Sequence, residues 1–211
     1  MSKDPKDQKD PEEHVDNFEL FRKHVSSQLV SPGDFFPLLI MTRKKDSNDS
    51  TEIIATKYIY KVEDLDLLTE YIKKTCIENN ARCYIKINKR NEVVISENMV
   101  RYIVDKHLNK EYKLIPGAYS HIVGVTPASH NNKLYLIDVD DISQHQQILE
   151  ILDLIKNNKR MQKGDIITVK TKNGLHLLVP PFDIETFKNE YCFKFMSDIV
   201  VNKDGDSLLF Y

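Results

Sequence analysis

Two short strings carry the residue types best suited to chemistry: LYLIDVDD at 134–141 and VKTKNGLHLLVPPF at 169–182. In the first, Asp138 and Asp140 stand two apart, so on a strand they project to one face while Val139 and Asp141 take the other. Two carboxylates on a rigid face offer hard oxygen ligands, which select Mg²⁺ or Mn²⁺ over softer metals. Such a pair repels itself, and desolvation at the end of an apolar strand raises both pKa values unless a cation neutralises them. The same residues also fit a solvated strand end leading into a helix that Asp141 caps.

The second string places His176 inside an apolar run, behind Lys170, Lys172 and an Asn173-Gly174 turn signal. Phosphate binding needs lysines as point charges, backbone N–H groups exposed near a glycine, and an imidazole able to donate to an oxyanion. Lys170, Lys172, Asn173, Gly174 and His176 supply all of these. On an uninterrupted strand the two lysines and the histidine share parity, which the turn is able to change. A core histidine satisfied by a structural hydrogen bond, in an ordinary hairpin with solvated lysines, is the competing reading.

The elements that must position these groups follow from periodicity. Val15, Phe18, Phe21, Val25 and Leu29 have helical spacing; Ser31 to Asp34 then break the helix. FFPLLIMTRKK from Phe35 reads as a buried strand, DSNDS as a loop, and TEIIATKYIYKV as the antiparallel partner. Residues 63–80 predict a helix with Leu67, Leu68, Tyr71, Ile72 and Thr75 on its apolar stripe. ARCYIKIN is a third strand, placing Arg82 and Lys86 at one parity. Residues 96–108 predict a helix opened by Ser96, and the segment EYKLIPGAYSHIVGVTPASHNN reads mostly as loop with one short strand. Lys133 to Asp141 predict a strand and Ile142 to Asn158 an amphipathic helix. Two strands flank Lys172-Asn173-Gly174; a helical turn, DIETFKNEY, and two short strands joined by KDGD complete the chain. The expected fold is α+β, a single domain over 14–211 with a central mixed or antiparallel sheet flanked by helices, after a charged, disordered tail at 1–13.

Composition bounds the function classes. The chain has 211 residues, 41% hydrophobic and 29% charged, with a net charge of −2. That is a globular composition with no broad basic footprint, so any nucleic-acid surface must be a local groove. Cys76, Cys83 and Cys192 lack metal-ligand spacing and read as reduced thiols. No stretch approaches the ~20 apolar residues of a membrane span, and the charged N-terminal string lacks a secretory signal's apolar region. These features predict a cytoplasmic protein without a membrane partner.

Taken together, LYLIDVDD followed after a helix by NGLHLLVP resembles the archaeo-eukaryotic primase-polymerase superfamily. It is most like the polymerase domains of end-joining ligases and small phage or plasmid primase-polymerases. The likeness covers roughly residues 133–201. It implies that Asp138 and Asp140 match a metal-binding hhhDhD strand, and that Gly174, Leu175 and His176 match a small-x-His element contacting the triphosphate. It also implies a third acidic ligand, Asp198, with Asp204 and Asp206 close by. The activity implied is template-directed nucleotidyl transfer with two Mg²⁺ or Mn²⁺ ions at Asp138, Asp140 and Asp198. His176, Lys172, Gly174, Lys170 and Arg82 would bind the nucleotide. Nucleoside triphosphates, a DNA template-primer and other replication proteins are the implied partners, in a virus or mobile element. A non-catalytic replication accessory of the same fold, and a structural phage protein, are the alternatives.

Overall fold

In the computed structural model, residues 14–44, 50–128, 133–196 and 198–211 are described. The predicted tail at 1–13 and most of the DSNDS loop lie outside them. Helix α1 spans Phe18–Gln28 and buries Phe18, Phe21 and Val25, the helical stripe expected. Val15 stands before the helix in extended chain, exchanging backbone hydrogen bonds with Tyr211 at 2.8 and 3.0 Å.

Strand β1 (Asp34–Met41) is buried over most of its length because both of its edges are paired. It lies between β2 (Ile53–Ile59) and β3 (Arg82–Lys86), antiparallel to both. Its start also pairs with the two-residue β4 (Arg90–Asn91). Helix α2 (Val62–Glu78) buries Leu65, Ile72, Thr75 and Cys76. Leu67 is 80% exposed and Tyr71 43%, so the inward stripe is rotated from the one expected. Leu65 and Ile72, with Leu68 packed partly against the core, hold the true helical period.

Helix α3 (Glu92–Leu108) begins four residues before Ser96. Asn91 caps it by accepting from the Val93 N–H at 3.1 Å, a role the Ser96 hydroxyl cannot take from inside the helix. The segment expected to be mostly loop contains a 3₁₀ turn, Tyr112–Leu114, and helix α4, Ala118–Val125. Phe35, Ile95, Ile122 and Val123 form the small cluster that ties α3 and α4 to the sheet.

Strand β5 (Tyr135–Val139) leads into a 3₁₀ turn that Asp141 caps by accepting from the Ser143 N–H at 2.9 Å. Helix α5 (His145–Asn157) follows. Strands β6 (Ile167–Lys170) and β7 (Leu175–Val179) form the expected hairpin. Helix α6 (Ile184–Phe195) is twelve residues rather than a single helical turn. Strands β8 (Val201–Asn202) and β9 (Asp206–Phe210) close the chain.

Instead of one central sheet there are two, both antiparallel, with six α-helices among the described residues. The first runs β2-β1-β3-β9 with β4 on β1; the second runs β6-β7-β5-β8. The KDGD segment is therefore a crossover between sheets, because β8 pairs with β5 while β9 pairs with β3. Asp204 anchors that crossover through a two-pronged ion pair with Arg90, 2.6 Å at its shorter contact. Arg90 is 2% exposed.

A shared core joins the sheets. Leu38, Ile40, Cys83, Ile85 and Leu209 of the first cluster with Leu136, Val169 and Leu178 of the second, beneath α1 and α2. The other face of the second sheet, Tyr135, Ile137, Val139, Leu177 and Val179, packs on Ile148, Ile151 and Leu152 of α5 and Phe187 of α6. Burying one of these side chains contributes on the order of 2–3 kcal/mol. No helix of the described residues is long and apolar enough to cross a membrane.

Candidate nucleotide site

From Leu134, just before β5, the positions on the shared-core side are Leu134, Leu136 and then Asp138. The strand keeps its two-residue period while the core runs out, so the third inward position is free to be polar. Its burial pattern marks the change: only Asp138 is exposed within the strand, and Asp140 follows it just outside. The register of β5 with β7 sets Asp138 directly opposite His176. Side chains of opposed antiparallel residues share a face, and His176 Nε2 lies 3.5 Å from Asp138 Oδ1.

The imidazole is held from the other side too. His176 Nδ1 is 3.0 Å from the Ser207 Oγ on β9, so the contact spans the two sheets. Burial lowers the His176 pKa below its ordinary value, against the pull of Asp138 and Asp140 and in concert with Arg43. The ring is therefore neutral near pH 7, a donor and acceptor rather than a cation.

Gly174 explains how the hairpin comes this close. A Cβ at that position would stand 2.2 Å from the Val139 carbonyl oxygen and 3.1 Å from Asp140 Cα. The turn thus lies against the end of β5, where the carboxylates are, and only a residue without a side chain fits. The turn is closed by the Thr171 N–H donating to the Gly174 carbonyl at 3.0 Å and the Gly174 N–H donating to the Thr171 hydroxyl at 3.0 Å.

These walls enclose a cleft of 360 Å³. Asp138, Asp140, Thr171, Lys172, Asn173 and His176 line it from the second sheet and its turn; Arg43, Arg82, Tyr84 and Leu208 line it from the first. A neighbouring 270 Å³ cavity shares Arg43, Tyr84, Asp138 and His176 and adds Asp206. Lys172 Nζ lies 4.1 Å from the centre of the Tyr211 ring and contacts its hydroxyl. The Arg82 guanidinium lies 4.7 Å from the same ring centre, and Arg43 donates to the Tyr84 hydroxyl at 3.3 Å. Aromatic rings thus hold long cationic side chains at the cleft wall.

No protein-family model, curated protein or solved structure matches the chain.

Of the residues singled out from sequence, Asp138, Asp140, Lys172 and His176 meet in the cleft, Gly174 shapes it, and Arg82 joins from the opposite sheet. Lys170 does not line it. Lys170 pairs with Leu175, so it takes the face opposite His176; the turn reverses the parity that a continuous strand would give. Asp198 is exposed and absent from the lining of both cavities. Asp204 is engaged by Arg90. Asp206 is the additional carboxylate beside Asp138 and His176, though Lys86 pairs with it at 3.0 Å. Arg43, Tyr84, Ser207 and Tyr211 were not singled out from sequence. Only Tyr84 had a local signal, sharing strand parity with Arg82 and Lys86; the others arrive through sheet pairing.

Among the described residues no group of three His, Cys, Asp or Glu side chains gathers to hold a metal ion. Asp138 and Asp140 form a two-carboxylate face instead. That donor set fits Mg²⁺ or Mn²⁺, which bind through one or two carboxylates together with substrate phosphates and water. The cleft pairs these carboxylates with basic groups, a combination suited to a polyanion that brings its own divalent cation.

Proposed function

We propose that the protein is a metal-dependent, template-directed nucleotidyltransferase of primase-polymerase type, acting in replication or repair of viral or mobile-element DNA. The observation that carries the reading is the register of Asp138 opposite His176, within a cleft whose other wall is basic. Two motifs noted separately in the sequence thereby become one surface.

In this reading Asp138 and Asp140 hold the cation, and Asp206 is a stronger third candidate than Asp198 because it borders the same histidine. When bound, Mg²⁺ or Mn²⁺ supplies Lewis acidity and neutralises charge on the phosphates. Lys172, Arg82 and Arg43 attract and orient the triphosphate, leaving their aromatic partners for a stronger anionic one. Neutral His176 donates a hydrogen bond to a phosphate oxygen. A primer end entering beside Asp138 would then be aligned for in-line attack, with positioning and charge stabilisation as the main catalytic contributions. Nucleoside triphosphate and a DNA primer-template are the partners of this reaction.

A second reading, nucleotide binding without transfer, draws on the Lys86–Asp206 ion pair, which engages the additional carboxylate. Primer extension with Mn²⁺ decides between them. Transfer requires incorporation by the wild type and its loss in Asp138→Asn and in Asp140→Asn, with both variants folded. Asp206→Asn should fall to the same floor while Asp198→Asn stays near normal. Nucleotide binding without incorporation would favour the second reading, and a wild type that does neither would overturn both.

A further inference from the structure

Helix α3 is apolar on two opposite sides. At about 100° per residue, Ile95, Met99 and Tyr102 share the side that packs with Phe35, Ile122 and Val123. Val93, Val100, Val104 and Leu108 share the other side, and each is between 52% and 74% exposed. They follow one another at helical spacing along roughly 22 Å of the helix. A helix that is apolar all round is normally a buried one. Helix propensity does not account for the outer residues either, because valine loses side-chain freedom in a helix and forms it less well than lysine or glutamate. The stripe therefore reads as a docking face.

Charge along the stripe selects what docks. Glu97 sits within it, toward the N-terminal end, and Arg101 borders it just past the middle; both are exposed. Two copies laid antiparallel about a two-fold axis set Val93 against the second copy's Leu108. Glu97 of each copy then falls about 4.5 Å along the axis from the level of the other's Arg101. These long side chains span that offset, and the symmetry makes the pairing twice. A parallel pairing would instead bring Glu97 to Glu97 and Arg101 to Arg101, like charge against like. The chain's own N-terminal string, residues 1–13, is charged and holds one large apolar side chain, Met1, too little to cover four positions. We propose that this face of α3 docks a second copy of the chain as an antiparallel, two-fold helix pair. No residue of α3 lines the 360 Å³ cleft, so the association stands apart from the nucleotide reading.

Sedimentation of the full chain, from about 5 to about 500 μM, reads the equilibrium. The expected result is a reversible shift from one copy to two. Val100→Lys and Val104→Lys change exposed positions, so the fold holds, and each should weaken association at least about ten-fold by placing an ammonium group in the apolar seam. Glu97→Lys should weaken it several-fold because lysine then meets Arg101, and Arg101→Glu should do the same by meeting Glu97. The double variant, Glu97→Lys with Arg101→Glu, should restore the wild-type constant. Circular dichroism on each variant checks its helix content; should one lysine variant lose its fold, the other and the charge swap decide. A chain that stays monomeric throughout overturns the proposal and leaves the face to a partner of another kind. A dimer that the lysine variants leave unchanged also overturns it, as does one that the double charge swap fails to restore.

Discussion

A Cβ on Gly174 would overlap the Val139 carbonyl oxygen, 2.2 Å away, and this contact is with backbone rather than with the tip of a flexible side chain. Gly174→Ala must therefore lift the turn off β5 or bend the strand end. Either movement opens the space between Asp138 and His176. The expected loss of stability is about 1–3 kcal/mol, the range for overpacking a close-packed site. Under the proposed function, nucleotide affinity should fall more than stability alone explains, because the variant moves Asp138 and His176 apart. Thermal melting and nucleotide titration on the same variant check this. Unchanged values for both would mean that the close approach has no bearing on the cleft.

Helix α3 shows how little of an element its own stripe can anchor. Ile95 is its one buried residue, so its end condition matters more than in α5, which buries four. Asn91 serves two purposes there: its side chain caps the Val93 N–H, and its Nδ2 donates to Asp34 Oδ1 at 2.9 Å. Asn91→Ala should cost about 1 kcal/mol through the cap, a fall in Tm of roughly 2–4 °C for a chain of this size. The Asp34 contact adds to the loss. The primer extension expected under the proposed function should be unaffected, because neither Asn91 nor any residue of α3 lines the 360 Å³ cleft. A large activity loss in a folded Asn91→Ala protein would place this helix in the function.

At the scale of the whole molecule, His24 ties α1 to the core. It is 5% exposed, between Phe21 and Phe36, and its Nε2 donates to the Ile87 carbonyl at 2.9 Å. Burial lowers its pKa from the ordinary 6.5, opposed by that hydrogen bond. The folded state therefore resists protonation that the unfolded chain accepts. Stability should be full above about pH 6.5 and fall as the pH drops below it, since only the unfolded state gains the proton there. Tm measured from pH 8 to pH 5 should decline in the wild type and decline less in His24→Gln, which keeps a donor but cannot titrate. Parallel curves would assign the acid sensitivity elsewhere.

The sequence by itself determined most local states: the strand carrying LYLIDV, the hairpin at Asn173-Gly174, the α5 stripe and the Asp141 cap. Their signals are periodic or chemical and lie within a few residues. It left the face of α2 rotated, because Leu67 and Leu68 are equally apolar and only packing selects Leu65, Leu68 and Ile72. It left the start of α3 at Ser96, because Asn91 becomes a cap only once β4 pairs with β1. The two-sheet division was not legible, since β8 and β9 look like a hairpin until each finds a strand far away in the chain. For the site, Asp138, Asp140, Gly174 and His176 stood out by type and spacing. Their meeting depends on the register of β5 with β7, which the core on either side of those strands sets. Lys170 faced the wrong way because a turn breaks strand parity. Arg43, Ser207 and Tyr211 enter only through the tertiary structure, since no local pattern records which strands lie beside one another.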